Sequence, residues 1–445
     1  MNKLIKHILT VISLVAAVQT NAQTGQGSAI NFSAALDMAI TNDQDLQAAE
    51  FDYQSALASR GQSKSALLPQ LEFSVFTRRT EQETVNSSLF PDSTSKFDTD
   101  GYSLSLTQTI YNHSIYKKLE QTDMSIAAAT ATVEAARQDL IVRLATAYFN
   151  VLGAEDNLKF AIAEKEAIGK QLEQSKKRFE VGLIAITDVK EAQASYDTSV
   201  AQEIDARNLH SAELEALAVI LGNYTQKISP MVENIPLIIP EPANIQKWTD
   251  NALNNNLSLK AAKFNFQASQ KQVDADQSEH YPYLGLSARN DYSDPDGGRF
   301  DGETTDTAIT LQLTVPIYSG GLTSANHRQS VALKEKARAL KVKAHRQALQ
   351  QTRDAYLGVS STIAQVKAFK QALLSSQAAY EATQAGFEVG TRTAIDVLTT
   401  LREVYRAERD HARSRYNYVI NTLKLKQAAG TLTIDDGKAI NSFLR

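Results

Sequence analysis

Apolar residues recur along this chain with two periods, and each period marks a different kind of element. Over residues 114–181 they return every three or four positions, as Leu140, Leu144, Tyr148, Val151 and Leu152, among Ala-rich runs such as 126–131. That is helical spacing, and the segment holds no proline and only two glycines, Gly153 and Gly169. Its 68 residues predict a rod of ~100 Å. A helix of that length needs neighbours all along it. The Ala-rich flanks 34–67 and 188–221, with 34 residues each, match it when laid end to end.

Four stretches alternate instead. Ile309, Leu311, Leu313 and Val315 alternate with Thr310, Gln312 and Thr314, and Tyr102, Leu104 and Leu106 with Ser103, Ser105 and Thr107. Leu71, Phe73, Val75 and Leu284, Leu286, Ala288 begin the partner strands. One face is apolar and the other small and polar. A half-buried soluble hairpin alternates in the same way. Strands of about ten residues with tyrosines near their ends fit a membrane barrel better. Here those tyrosines are Tyr281, Tyr283, Tyr318 and Tyr111 on one side and Tyr102 and Tyr292 on the other. Pro69, Pro282 and Pro316 stand where helix gives way to strand. Polar stretches 77–98 and 290–304 are read as outward turns. In the second, Asp294, Asp296, Asp301 and Glu303 surround Gly297 and Gly298 without EF-hand spacing, which makes it a solvated acidic loop. Four strands cannot close a barrel, and lipid does not tolerate an open edge, so copies of the chain must join. Two copies would supply eight strands and three would supply twelve; strand arithmetic alone does not choose.

The pattern occurs twice. LQAAEFDYQSA at Leu46 returns as LKAAKFNFQAS at Leu259, 213 residues later, and VGLIAITDV at Val181 as VGTRTAIDV at Val389, 208 later. Missing such a repeat would mis-read the whole fold. The first repeat, 23–222, holds a helix, a β-hairpin over 70–110, the long helix 114–181 and a helix over 188–221. The second, 249–430, holds a helix, a hairpin over 283–316, a long helix over 322–389 and a helix over 396–429. Residues 223–248 carry Pro230, Pro236, Pro240 and Pro242 and form a connector. With the tail 431–445 it is expected to make a small mixed structure beside the helices.

Residues 1–22 read as a secretory signal, with Lys3 and Lys6, an apolar core over 8–18 and a small-residue site at Ala22. The absence of cysteine excludes a lipoprotein signal, disulfides, cysteine-ligated metals and thiol nucleophiles. Removing the signal lowers Lys plus Arg from 46 to 44 against 50 acids, which argues against nucleic acid as a partner. The seven histidines lie in no metal-ligand spacing, and G-x-S-x-G, P-loop and G-x-G-x-x-G motifs are missing. No cofactor, metal or catalytic activity is expected.

Two helix-to-helix turns remain. Gly182 and Gly390 stop the long helices with the left-handed conformation that other residues resist. The following helices are expected to begin at Thr187-Asp188 and at Asp396, where both aspartates could serve only as caps. Arg392, beside Asp396 in an otherwise small and neutral turn, has no explanation as a cap.

The duplicated architecture, with AYFNVL at Ala147, RFEVGLIAITDV at Arg178, LTVPIYSGG at Leu313, VGTRTAIDVL at Val389 and ARSRYNYVIN at Ala412, resembles the TolC family of outer-membrane efflux and secretion channels. The resemblance covers essentially the whole mature chain. It implies a mainly α protein with a membrane β part: paired coiled-coil hairpins and four strands per protomer, in a homotrimer whose twelve-stranded barrel continues as an α-helical tunnel through the periplasm. It places the protein in the outer membrane of a Gram-negative bacterium, as exit duct for drug efflux or type I protein secretion. It implies a periplasmic adaptor and an inner-membrane pump as partners. The adaptor would meet the turns at Gly182 and Leu183 and at Gly390, Thr391, Arg392 and Thr393. Carried over by position, Thr187 and Asp188 would be partners of Arg392, and Asp396 would line the closed entrance. Two positions depart from the family pattern: Phe387 stands where relatives have a hydrogen-bonding tyrosine, and Thr399 where they have a second ring aspartate. The closed gate is then expected to be less tightly latched and less acidic. A periplasmic coiled-coil adaptor or structural envelope protein would explain the helices but not the four strands.

Overall fold

The computed structural model describes residues 29–85, 91–223, 227–297 and 302–445; the expected signal at 1–22 lies outside them. The first half runs α1 (Phe32–Asn42), α2 (Gln44–Ser65), β1 (Gln70–Thr84), β2 (Ser93–Tyr111), α3 (His113–Glu180) and α4 (Ile186–Leu221). The second half repeats that order as α5 (Ile245–Asn255), α6 (Leu257–Gln277), β3 (Tyr283–Asp296), β4 (Thr304–Thr314), α7 (Leu322–Glu388) and α8 (Ala394–Ala428), before a short α9 (Ile434–Ala439). The long helices have 68 and 67 residues. α2 and α4 lie along α3, which also packs on α6 and α8, while α7 packs on α6 and α8.

The stretches 34–67 and 245–279 are each broken into two helices. The breaks fall at Asp43 and Asn256, which the repeat relates by 213 residues. Each side chain caps the second helix, Asp43 Oδ1 accepting from Leu46 N at 2.8 Å and Asn256 Oδ1 from Leu259 N at 3.0 Å. Both are buried, so tertiary partners must satisfy their remaining polar atoms. Arg143 of α3 donates to both Asp43 oxygens at 2.9 and 3.0 Å, and Asn256 Nδ2 donates to Ala428 O at 3.0 Å. Burial pushes the Asp43 carboxyl up, but the bonds from Arg143 and from the Leu46 amide outweigh it and hold the group below its ordinary range.

The strands form one antiparallel sheet in the order β1-β2-β3-β4, which leaves β1 and β4 as its edges. Leu71 pairs with Leu106, Leu106 with Ala288 and Ala288 with Ile309, so one face carries apolar rows across all four strands. On that face Leu71, Phe73, Val75, Ile309, Leu311 and Leu313 are 63–76% exposed. The opposite face carries Ser74, Ser103, Asp291 and Asp306 in one row. Tyr102 and Tyr292 stack at 5.3 Å at one end of the apolar band, and Tyr111, Tyr281 and Tyr283 are exposed at the other. From Tyr283 to Tyr292 the strand rises ~30 Å, or ~23 Å of height at a tilt of ~40°, the height of a barrel's lipid band.

The polar stretches 77–98 and 290–304 are corrected by the structure. β1 continues to Thr84, β2 begins at Ser93, and β3 runs to Asp296, so much of both expected turns is strand. Charged cross-strand pairs hold the extension: Arg79 makes two bonds of 2.8 Å to Asp98, and Lys96 lies 2.9 Å from Glu81. The acidic loop loses Asp294 and Asp296 to β3; Gly298 and Asp301 lie outside the described residues.

The core sits midway along the rods. Leu140, Leu144, Tyr148, Phe149 and Leu152 of α3 meet Phe32 and Leu36 of α1, Leu217 and Leu221 of α4, and Tyr416 and Val419 of α8. The connector and tail are tied in by bridges from Ile30 to Ile228 and from Met231 to Leu444. Tyr148 donates its buried hydroxyl to Ile30 O and Ser229 O, both at 3.0 Å. Among the described residues no helix is long and apolar enough to cross a membrane.

Candidate gate at the helix turns

Both long helices end at a Val-Gly pair far from the sheet. Gly182 and Gly390 adopt φ of 77° and 81°, the left-handed region that closes a helix end. In the first turn the Gly182 N–H donates to Phe179 O and the Leu183 N–H to Arg178 O, both at 2.9 Å. In the second, the Thr391 N–H reaches Gly386 O at 2.8 Å and the Gly390 N–H reaches Phe387 O at 3.2 Å. The tips expose apolar side chains: Val181, Leu183 and Val389 are 69%, 72% and 76% accessible.

The two turns differ in how the next helix starts. α8 begins at Ala394 and α4 at Ile186, both ahead of the positions expected from the sequence, Asp396 and Thr187-Asp188. Thr393 and Asp396 make a capping box: the Asp396 N–H donates to Thr393 Oγ1 at 3.2 Å, and the Thr393 N–H donates to Asp396 Oδ2 at 3.0 Å. The Thr393 backbone and hydroxyl hold the Asp396 carboxyl below its usual range, and the Arg392 charge adds a smaller push the same way. The repeat mate of Thr393 is Ala185, which has no hydroxyl to cap with. Asp188 therefore sits in the first turn of α4 without a cap partner, and Thr187 beside it is exposed. Thr399 is also exposed, its hydroxyl returned to Ile395 O at 2.8 Å.

Arg392 is exposed, and its stem folds back over Gly386, where a Cβ would lie 2.8 Å from Arg392 Cγ. Within the protomer, and among the described residues, no carboxylate lies within 4 Å of its guanidinium, so it joins neither Asp188 nor Asp396. Phe387 is 3% exposed and packs with Ala394, Val397 and Tyr380.

Sequence reasoning missed two ties between the hairpins. The Arg178 guanidinium at the end of α3 lies 4.2 Å over the Phe387 ring at the end of α7. Further along the rods, Glu164 of α3, 3% exposed, accepts from Arg409 Nη1 at 3.2 Å and faces Arg402 Nε at 3.9 Å, both on α8. Neither leaves a local signal, because the partners are far apart in sequence. The capping box was legible as T-x-x-D.

A family model described as "Outer membrane efflux protein" matches residues 35–223 and 248–431. Outer membrane protein TolC of Escherichia coli (strain K12) is 32% identical over 450 residues, spanning 98% of this chain and 89% of that protein. The alkaline protease secretion protein AprF of Pseudomonas aeruginosa is 27% identical over 400 residues, 89% of this chain and 83% of that one. The crystal structure of the Campylobacter jejuni CmeC outer membrane channel superposes with a TM-score of 0.79 at 18% identity, covering 96% of this chain and 94% of that one.

Proposed function

The chain belongs to the outer membrane efflux protein family, and from that premise we propose that three copies form one channel-tunnel, gated at its periplasmic end by the two helix turns. The protein lies in the outer membrane and acts as an exit channel for efflux and secretion. The family and these relatives are channels rather than enzymes.

One observation carries the assembly. The sheet exposes a continuous apolar face, yet the outer edges of β1 and β4 have no strand partner among the described residues of the protomer. In lipid those edges must pair, and a closed rotation of copies pairs β1 of one with β4 of the next. Twelve strands would then enclose the polar face bearing Asp291 and Asp306 as a lumen, and the rods would continue it into the periplasm. A soluble adaptor or envelope scaffold would leave the apolar face unexplained.

At the far end, Arg392 has no carboxylate within 4 Å among the described residues of its own protomer, and α4, with Asp188 in its first turn, starts without a side-chain cap. An Arg392 contact to Thr187 and Asp188 of a neighbouring copy would close the entrance, with Asp396 supplying negative charge around the axis. The exposed apolar tips at Leu183 and Val389 suit docking by a periplasmic adaptor that links the tunnel to an inner-membrane pump. Light scattering of the detergent-corrected particle tests the assembly. A mass of three chains is expected, and a mass of one or two overturns the reading.

A further inference from the structure

We propose that Arg178 is a positioning residue of the gate: its guanidinium, resting on the Phe387 ring, clamps the α3–α4 hairpin to the α7–α8 hairpin within each protomer. This rests on the gated-channel reading and adds to it a contact that involves neither Arg392 nor any carboxylate.

Each partner is fixed to its own turn. The Arg178 carbonyl accepts the Leu183 N–H at 2.9 Å, so the arginine moves with the α3–α4 turn. The Phe387 carbonyl accepts the Gly390 N–H at 3.2 Å, and its ring packs on Ala394 and Val397 at the start of α8. The contact between them, 4.2 Å from guanidinium carbon to ring centroid, therefore spans the seam between the hairpins. Electrostatics supports a cation–π pairing over an incidental approach. Lys177, the adjacent residue, takes the helical pair to Glu173 at 2.8 Å, whereas Arg178 has no carboxylate within 4 Å among the described residues. A guanidinium that forgoes an ion pair to lie on an aromatic face is held by the ring quadrupole and by its own planar stacking. The burial of Phe387 keeps water off the ring and strengthens that attraction. Arg392, exposed and folded over Gly386, remains available for a neighbouring copy. Separating the two hairpins at the tip must break the Arg178 stack.

The test measures the open fraction of the purified channel in planar bilayers. Arg178→Met keeps the stem and removes the cation, and Phe387→Leu removes the ring. An exposed or half-exposed cation–π contact predicts about a two- to fivefold rise in open fraction for each. The double variant should rise no further than the larger single, because the two residues act as one contact. Arg178→Lys, which keeps the charge but not the planar fork, should recover part of the closed fraction. Heat dissociation of the detergent-solubilised assembly should be unchanged in Arg178→Met, since that residue is far from the sheet and the main core. Arg392→Ser is the control for the gate itself. If Arg392→Ser raises the open fraction and Arg178→Met does not, the latch is overturned while the gate stands; if neither does, both fall. Additive effects in the double variant, or early dissociation of Arg178→Met, also overturn it.

Discussion

Glu164 offers a sharp test of what joins the two hairpins along the rods, because its charge is almost wholly buried while its partners' charges are not. The Glu164 side chain is 4% exposed; those of Arg409 and Arg402 are 31% and 39% exposed. Glu164→Gln keeps the shape and deletes the charge, and both arginines can turn to water, so the cost should be about 1–3 kcal/mol. Arg409→Met does the opposite. It leaves a buried carboxylate whose remaining cation, Arg402 Nε, is 3.9 Å away, outside hydrogen-bond range. To reach the carboxylate Arg402 must close that gap and give up the 3.5 Å contact from its Nη2 to Ser195 O, so it replaces only part of what Arg409 supplied. The expected cost is about 3–5 kcal/mol. The double variant Glu164→Gln with Arg409→Met should cost less than Arg409→Met alone, since no uncompensated charge remains. A chain of several structural parts has no single unfolding free energy, so local opening is the right quantity. Hydrogen exchange of the α8 amides around Arg402 and Arg409 should quicken by about 100-fold or more in Arg409→Met and by about tenfold in Glu164→Gln. Equal effects, or a larger one in Glu164→Gln, would refute the reasoning that burial of the carboxylate sets the cost.

Two further outcomes are expected. Arg392→Ser should raise single-channel conductance, whereas Asp396→Asn, which can still cap α8, should mainly weaken cation selectivity; unchanged conductance and unchanged selectivity together would reduce these residues to helix-end roles. Asp43, its carboxyl held low by Arg143 and the Leu46 amide against the opposing effect of burial, stabilises the α1–α2 junction fully above the unfolded aspartate range and loses that contribution as pH falls through its lowered folded value. In Asp43→Ala, exchange at the start of α2 should be faster at neutral pH by about tenfold, the loss of a cap, and the gap to the parent protein should narrow in acid; a gap that widens in acid would be contrary to this sign.

Periodicity made the duplication, the two long rods, the four strands and the Val-Gly turns legible, because each is set by residues close together in the chain. Helix spacing, strand alternation and left-handed glycines are local properties and survive in a single sequence. What local pattern does not carry is the identity of distant partners. The breaks at Asp43 and Asn256 fall on local cap residues, but these caps can be buried only because Arg143 and the Ala428 carbonyl, each at least 100 residues away, satisfy their remaining polar atoms. The strands run on through polar residues because Arg79 finds Asp98 across the hairpin. Asp188 and Asp396 occupy equivalent repeat positions, but Thr393 caps one helix and Ala185 cannot cap the other, a local difference that was there to be read. Phe387 reads as a missing hydroxyl in the sequence, yet in three dimensions it is a buried ring under the guanidinium of Arg178. Glu164, one acid among many on α3, gains its importance only when the packing of α8 removes its water. Local spacing decides which elements form, whereas burial and charge compensation, which depend on what the folded chain brings alongside, decide where they break and which side chains hold them together.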